Sequence, residues 1–119
     1  MSIRSYQDLT VWKKAMTVAK LVYQLTEKLP HSEIYGLVSQ MRRAAVSIPS
    51  NIAEGNSRRA SKVYKHFLSI AYGSKSELET QFLLCVEIGY LDKQDIVLVM
   101  NNLEEISRML SSMIAKLDE

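Results

Sequence analysis

Polar side chains recur at helical spacing in two segments of the chain, and their types are suited to chemistry. The first segment carries Gln40, Arg43, Ser47, Asn51 and Glu54, and the second carries Ser74, Glu77 and Gln81. Steps of three and four residues put each set on one face of a helix. If the two helices run antiparallel about a turn near residue 58, Arg43 lies level with residues 73–77. This alignment predicts an Arg43–Glu77 ion pair, bracketed by Ser47 and Gln81.

Two interpretations of these polar residues stay open. In the first, they form a structural polar layer that fixes the register of two helices, made of Arg43, Glu77, Gln81, Asn51 and Ser47. In the second, the same groups bind a ligand or a nucleotide.

Basic residues cluster around the same predicted turn. The candidate contacts for a nucleic acid are Arg58, Arg59, Lys62 and Lys65, with Arg42 as a lesser candidate. Clustered Lys and Arg with little compensating acid is typical of a protein that binds a polyanion. No motif for reading bases accompanies them, so contact through phosphates or shape is the expectation. The alternative is an ordinary solvated helix face.

Catalytic and metal sites find little support in the sequence. His31 and His66 lie far apart and outside any metal-ligand spacing, and no Glu-x-x-His motif of a di-metal bundle is present. The sequence has no glycine-rich phosphate loop and no nucleophile elbow. The one cysteine, Cys85, stands in an apolar run, which indicates a buried thiol. The expectation is a non-enzyme without metal or cofactor.

The small net charge of +2 hides a separation of sign along the chain. Residues 1–75 hold twelve Lys or Arg against four Asp or Glu, which gives +8, and residues 76–119 hold three against nine, which gives −6. Such a separation concerns partners or self-assembly. A rival hypothesis therefore makes the protein an interaction scaffold, in which the basic half of one copy faces acidic residues of the next. Candidates for those acids are Asp95, Glu104 and Glu105.

Apolar spacing predicts four helices that position these groups. They cover residues 7–28, 33–54, 61–88 and 92–117, with Ser32, Ser61 and Asp92 at their starts and Pro30, Gly55 and Gly89 at their ends. The apolar phase continues through Pro49, which favours one helix kinked there over two short ones. Long helices with short connections specify an all-α, antiparallel up-down-up-down four-helix bundle.

The first predicted helix carries more apolar surface than one core requires. Beside its main seam lies a second one, and the oligomer interface assigned to it consists of Leu9, Trp12, Met16 and Tyr23. A monomer rarely leaves a wide apolar surface in water. This seam therefore predicts self-association, with a broad monomeric core face as the alternative.

Length and composition support a single domain over residues 1–119. Hydrophobic residues make up 47% and charged residues 24%, with four glycines and two prolines, which excludes a disordered or low-complexity chain. No apolar run approaches the roughly 20 residues of a membrane-spanning helix. The expectation is a soluble cytoplasmic protein without membrane contact.

Four stretches carry a family resemblance: YQDLTVWKKAM (6–16), YGLVSQMRRAAVSIPSNIAEG (35–55), FLSIAYGSKSELETQ (67–81) and EIGYL (87–91). Over about residues 5–115 the chain resembles the small four-helix-bundle proteins encoded by intervening sequences in bacterial 23S rRNA genes. It is more distantly similar to the accessory-variability proteins of retroelements. The family signature falls here on Arg42, Arg43, Pro49, Asn51, Glu54, Gly55, Glu77, Glu79 and Gln81.

This resemblance implies properties that the composition does not. It implies a homopentamer arranged as a barrel around a central channel, and no enzymatic activity. It also implies a role with RNA or DNA, such as association with ribosomal RNA, or by analogy with a reverse transcriptase. The leading hypothesis is a non-catalytic, oligomeric, nucleic-acid-binding accessory protein.

Overall fold

The computed structural model describes residues 5–118, which form four long helices joined by short turns. Helix α1 spans Thr10–Thr26, α2 Leu37–Arg58, α3 Ser61–Ile88 and α4 Val97–Leu117, and 3-10 turns at Tyr6–Asp8, His31–Glu33 and Lys93–Ile96 precede α1, α2 and α4. Each helix packs against the next, and α4 also packs against α1. The bundle measures 44 × 24 × 24 Å and confirms the predicted all-α four-helix fold.

The core follows the apolar stripes of the four helices. Its fully buried members include Val18, Val22, Met41, Ile48, Ile52, Leu68, Leu78, Phe82, Val99, Leu103, Ile106 and Leu110. The buried residues of α1 are Val11, Ala15, Val18, Val22 and Thr26, and those of α4 are Val99, Leu103, Ile106 and Leu110. On α3, Leu68, Ala71, Lys75 and Leu78 are buried, whereas Phe67 and Ser74 are only partly buried.

The helix ends agree with the sequence in part. Gly89 ends α3 with a positive φ of 96°, as predicted. Helix α2, however, begins at Leu37 and not at residue 33, because residues 31–33 form a 3-10 turn. The carboxylate of Glu33, and not the Ser32 hydroxyl, accepts the hydrogen bond from the Leu37 amide at 3.1 Å.

Gly55 does not end α2, which contradicts the prediction. The helix continues to Arg58, and the left-handed residue that ends it is Arg59, with φ of 66°. Gly55 instead allows α2 and α3 to approach closely. A Cβ atom on it would lie 2.8 Å from the Cβ of Phe67, a distance that real Cβ atoms essentially never show, and 3.0 Å from Cδ1 of Tyr64, which is tighter than most real contacts.

Helix α2 runs without interruption through the buried Pro49. The structure thus confirms one helix in place of two short ones, while a bend at Pro49 stays a prediction. The absence of an amide hydrogen on Pro49 leaves the Ala45 carbonyl without its usual helical donor.

Candidate nucleic-acid interface

The connection between α2 and α3 places basic side chains at one end of the bundle. Arg58 is the last residue of α2, Arg59 adopts the left-handed turn, and Lys62 follows in the first turn of α3. All three are exposed. Helix α3 begins here without a side-chain cap, so its free amide groups add a partial positive charge to the same end. The arrangement forms a small electropositive surface, called the basic end below.

Two members of the predicted cluster already have acidic partners. The Arg58 guanidinium lies 3.4 Å from the Glu54 carboxylate and 5.9 Å from the centre of the Phe67 ring. The Lys65 ammonium forms an ion pair with Asp118 and so ties α3 to the C-terminal end of α4. Arg59 and Lys62 make no ion pair within the described part of the chain. They are therefore the most available cations of the basic end.

Arg42 acts as a clamp between α1 and α2. Its Nε donates to the Thr26 hydroxyl at 2.9 Å, and its Nη2 lies 3.4 Å from the Tyr23 carbonyl and 3.3 Å from Glu27. The guanidinium also covers the Tyr23 ring at 4.6 Å. A side chain held by four contacts within its own chain has little freedom to reach a phosphate.

Polar side chains meet between α2 and α3 at Ser47, but the predicted Arg43–Glu77 ion pair is not formed. The hydroxyls of Ser47 and Ser74 lie 2.8 Å apart, and the Asn51 amide donates to the Ser47 hydroxyl at 2.9 Å. Among residues 5–118, no ion pair joins Arg43 to Glu77. The serine pair joins the two helices, and the side chains of Arg43 and Glu77 are exposed.

Arg43 and Glu77 instead flank an open groove of about 520 Å³. Its lining consists of Gln40, Arg43, Ala44, Ser47, Ser74 and Glu77, and it is called the α2–α3 groove below. One oxygen of the Glu77 carboxylate accepts a hydrogen bond from the Gln81 amide at 3.3 Å. Gln81 is 6% exposed, and its side-chain oxygen is buried without a donor.

A buried lysine on α3 has no counterpart in the predicted site. Lys75 is 5% exposed, forms an ion pair with Glu79 at 3.0 Å, and places its ammonium 4.3 Å from the centre of the Tyr72 ring. The Tyr72 hydroxyl lies 3.4 Å from that of Ser107 on α4. The bond from Ser107 and the charge of Lys75 lower the pKa of Tyr72. The sequence could have indicated that Lys75 is buried, because it stands at helical spacing on the core face, four residues after Ala71 and three before Leu78.

The second apolar seam of α1 is narrower than the pattern suggested. Leu9 and Trp12 are partly buried and pack against the core, and Trp12 also meets the Tyr6 ring edge-on. Met16 is 46% exposed and Tyr23 is 45% exposed, so these two present apolar surface to solvent. One face of the Tyr23 ring is covered by an arginine of α2.

Ion pairs within the chain join its basic and acidic halves. Lys14 pairs with Glu105, and Lys28 pairs with Asp95 at 3.0 Å. The bond from Lys14 lowers the pKa of Glu105. The backbone amide of Asp92, followed by Lys28, lowers the pKa of Asp95. The third candidate acid, Glu104, pairs with Arg108 at 3.6 Å. All three acids considered for contacts between copies thus have a partner inside one copy.

The other chemistry-bearing residues form no further constellation. Within the described residues, no three His, Cys, Asp or Glu side chains are grouped as metal ligands. The Cys85 thiol is buried against the sulfur of Met41 at 3.8 Å, and burial raises its pKa. None of the described helices is long and apolar enough to span a bilayer.

The fold places the chain among small four-helix-bundle proteins. The sequence profile of the 23S rRNA-intervening sequence protein family matches residues 7–112, and the chain belongs to that family. A crystal structure of a protein of unknown function from the S23 ribosomal protein family of Bacteroides thetaiotaomicron has the same fold. It is 22% identical, with a TM-score of 0.79, over 88% of this chain and 98% of that one. No curated protein matches the sequence.

Proposed function

We propose that this member of the 23S rRNA-intervening sequence protein family is a non-catalytic, oligomeric accessory protein of the cytoplasm that binds nucleic acid through its basic end. The observation that carries the proposal is the exposure of Arg58, Arg59 and Lys62 beside the uncapped start of α3. Arginine, lysine and helix N-terminal amides are the groups that contact phosphates. Ribosomal RNA is the partner that the family description suggests.

The contacts that the basic residues make within the chain rank them as candidates for binding phosphate. Arg59 and Lys62 bind phosphate first in this proposal, because they have no acidic partner among residues 5–118 to give up. Arg58 and Lys65 contribute less, since each would exchange an existing ion pair for a new one. Arg42 contributes least, because its guanidinium is engaged by α1.

A salt titration tests the proposal. Binding of a fluorescent structured RNA and of duplex DNA is measured by anisotropy from low to physiological salt, for the wild type and for Arg59→Ala/Lys62→Ala. Loss of two phosphate contacts reduces the slope of log K against log salt by nearly two. Lys93→Ala is the matched control, because Lys93 is an exposed lysine in the turn before α4, at the opposite end. Undetectable binding at low salt, or equal slopes for all three proteins, contradicts the proposal.

Self-association is the second part of the proposal, and the exposed seam of α1 supports it. Met16 and Tyr23 offer apolar surface that a second copy would cover. The pentamer implied by the family resemblance would repeat the basic end five times and strengthen binding through valency. Met16→Glu lowers the mass measured by light scattering, and Thr17→Glu, on an exposed neighbour, does not. A monomeric wild type, or an unchanged mass for Met16→Glu, refutes this interface.

Charge-driven assembly receives less support. In the scaffold hypothesis, acids of α4 pair with basic residues of a second copy, yet Glu105 and Asp95 pair with Lys14 and Lys28 of their own copy. If charge nonetheless drives assembly, the mass of the oligomer rises as salt is removed. If the apolar seam of α1 drives assembly, the mass of the oligomer does not depend on salt.

A further inference from the structure

The α2–α3 groove brings two unmatched charges to a polar surface. The Arg43 guanidinium makes no hydrogen bond, ion pair or ring contact with the described residues, although Glu77 lines the same groove. Between them lie the hydroxyls of Ser47 and Ser74 and the amide of Gln40. A groove with a cation on one side and an anion on the other is complementary to a group that has acceptors on one edge and donors on another.

Glu77 is held in position for such a contact. The Gln81 amide donates to one of its carboxylate oxygens at 3.3 Å and leaves the other oxygen free to accept. The Gln81 amide is oriented with its nitrogen toward the carboxylate, because the reverse orientation would set two oxygens against each other. The buried Gln81 oxygen has no donor of its own, which is unusual for a native interior. Gln81 is therefore a positioning residue whose amide is committed to Glu77.

We infer that the α2–α3 groove binds a guanine base of single-stranded RNA. Guanine has two adjacent donors, N1–H and N2–H, that match the Glu77 carboxylate. Its O6 and N7 acceptors lie side by side on the next edge and match the Arg43 guanidinium. Adenine has no such pair of donors, and uracil has a single N–H between two carbonyls. Single-stranded bases are the ones that proteins recognise on these edges.

The groove lies at a suitable distance from the basic end. Arg43 and Arg58 are separated by fifteen residues of one helix, a rise of about 22 Å. A single strand that places one base in the groove therefore needs several further nucleotides to reach the basic end. The inference rests on the proposed function in this respect: phosphates bind at the basic end while one base enters the groove.

The test uses RNAs of about twenty uridines that carry one central guanine, adenine or inosine, so that the strand on either side is long enough to reach the basic end. Binding is measured by fluorescence anisotropy at constant salt. We expect the guanine RNA to bind about tenfold more tightly than the adenine RNA, the discrimination that one good bidentate pair supplies. Inosine lacks the N2 amine and binds more weakly than guanine. Glu77→Gln abolishes the preference and leaves the salt slope unchanged, whereas Glu104→Gln, an exposed control on α4, preserves the preference.

The binding of free guanosine monophosphate, measured by calorimetry, tests the groove independently of the basic end. Binding of this nucleotide that is lost in Arg43→Ala and Glu77→Gln, but retained in Arg59→Ala/Lys62→Ala, supports the inference even if long RNA does not bind. Salt-dependent RNA binding without base preference, together with no binding of the nucleotide, overturns the inference and leaves the proposed function intact. The inference is also overturned if the wild type shows no base preference and both Arg43→Ala and Glu77→Gln change the mass of the oligomer. In that case Arg43 and Glu77 form ion pairs between copies of the protein. Circular dichroism confirms that each variant is folded.

Discussion

Gly55→Ala is the substitution whose effect the structure predicts most directly. The added methyl carbon would lie 2.8 Å from the Cβ of Phe67, 3.0 Å from the Tyr64 ring and 3.3 Å from the Tyr64 carbonyl oxygen. A Cβ atom and a carbonyl oxygen do not move with a side-chain rotamer. Relief therefore requires α2 and α3 to separate near their connection.

Two opposing effects set the size of the change. Overpacking a well-filled contact costs about 1–3 kcal/mol, whereas replacing glycine by alanine inside a helix gains about 1 kcal/mol. Gly55→Ala is thus expected to be destabilising by up to about 2 kcal/mol. Gly73→Ala isolates the second effect, because Gly73 is exposed in the interior of α3 and a Cβ atom on it would have nothing within 4 Å. Gly73→Ala should stabilise the protein by about 1 kcal/mol.

Urea unfolding followed by circular dichroism measures both variants at one protein concentration. The difference between their free energies of unfolding isolates the steric cost, which should be about 1–3 kcal/mol. Unchanged slopes against urea show that the two variants unfold to the same denatured state. Equal stabilisation by both substitutions would refute the close helix contact at Gly55.

Three further predictions concern charged side chains. Arg42→Ala should destabilise the protein by about 1–2 kcal/mol, because it removes the contacts that join α2 to α1. Arg43→Ala should change the free energy of unfolding by less than about 0.5 kcal/mol. Urea unfolding measures the free energies of both variants. Lys75→Ala should lower the free energy of unfolding by about 2 kcal/mol, because packing and the contact with Tyr72 are lost. Lys75→Met should recover most of this loss. A Met variant as unstable as the Ala variant would contradict the packing argument. Asp95→Asn should lower the melting temperature at pH 7. Since the folded-state pKa of Asp95 lies below its ordinary 3.8, the stability it provides is present above 3.8 and is lost as the pH falls through the folded-state value. The difference from wild type, measured by thermal scans, should therefore vanish in strong acid.

The fold is predictable because it depends on repeated, local signals. Apolar positions at steps of three and four recur through each helix, so an error at one residue does not change the assignment. Single positions are less predictable. The residue type of Gly55 predicts a helix end, although a glycine inside a helix serves equally well where a second helix approaches closely. Only the partner helix distinguishes the two uses.

The charged residues of the site show the same limit. Arg42 and Arg43 are neighbours with one residue type, and a rotation of 100° between them sends one guanidinium to α1 and the other to the α2–α3 groove. Helical spacing puts Arg43 correctly on the face with Ser47 and Glu77, but it does not specify whether two opposite charges touch. In the structure the contact across the helices is made by Ser47 and Ser74, and Arg43 and Glu77 form no ion pair within the described residues.

The sign separation along the sequence acquires a different meaning in the fold. Lys14, Lys28 and Lys65 all come from the basic half, and all three pair with acids of α4, its preceding turn or its C-terminal end. Some of the charged residues that suggested contacts between copies therefore form ion pairs within one copy. Surface ion pairs of this kind contribute little each, so they orient the fourth helix more than they stabilise it. Arg59 and Lys62 at the basic end and Arg43 at the α2–α3 groove make no ion pair among residues 5–118, and all three lie on α2, α3 or the turn between them. An anionic partner that binds on this side would break no ion pair of the described residues at these three positions.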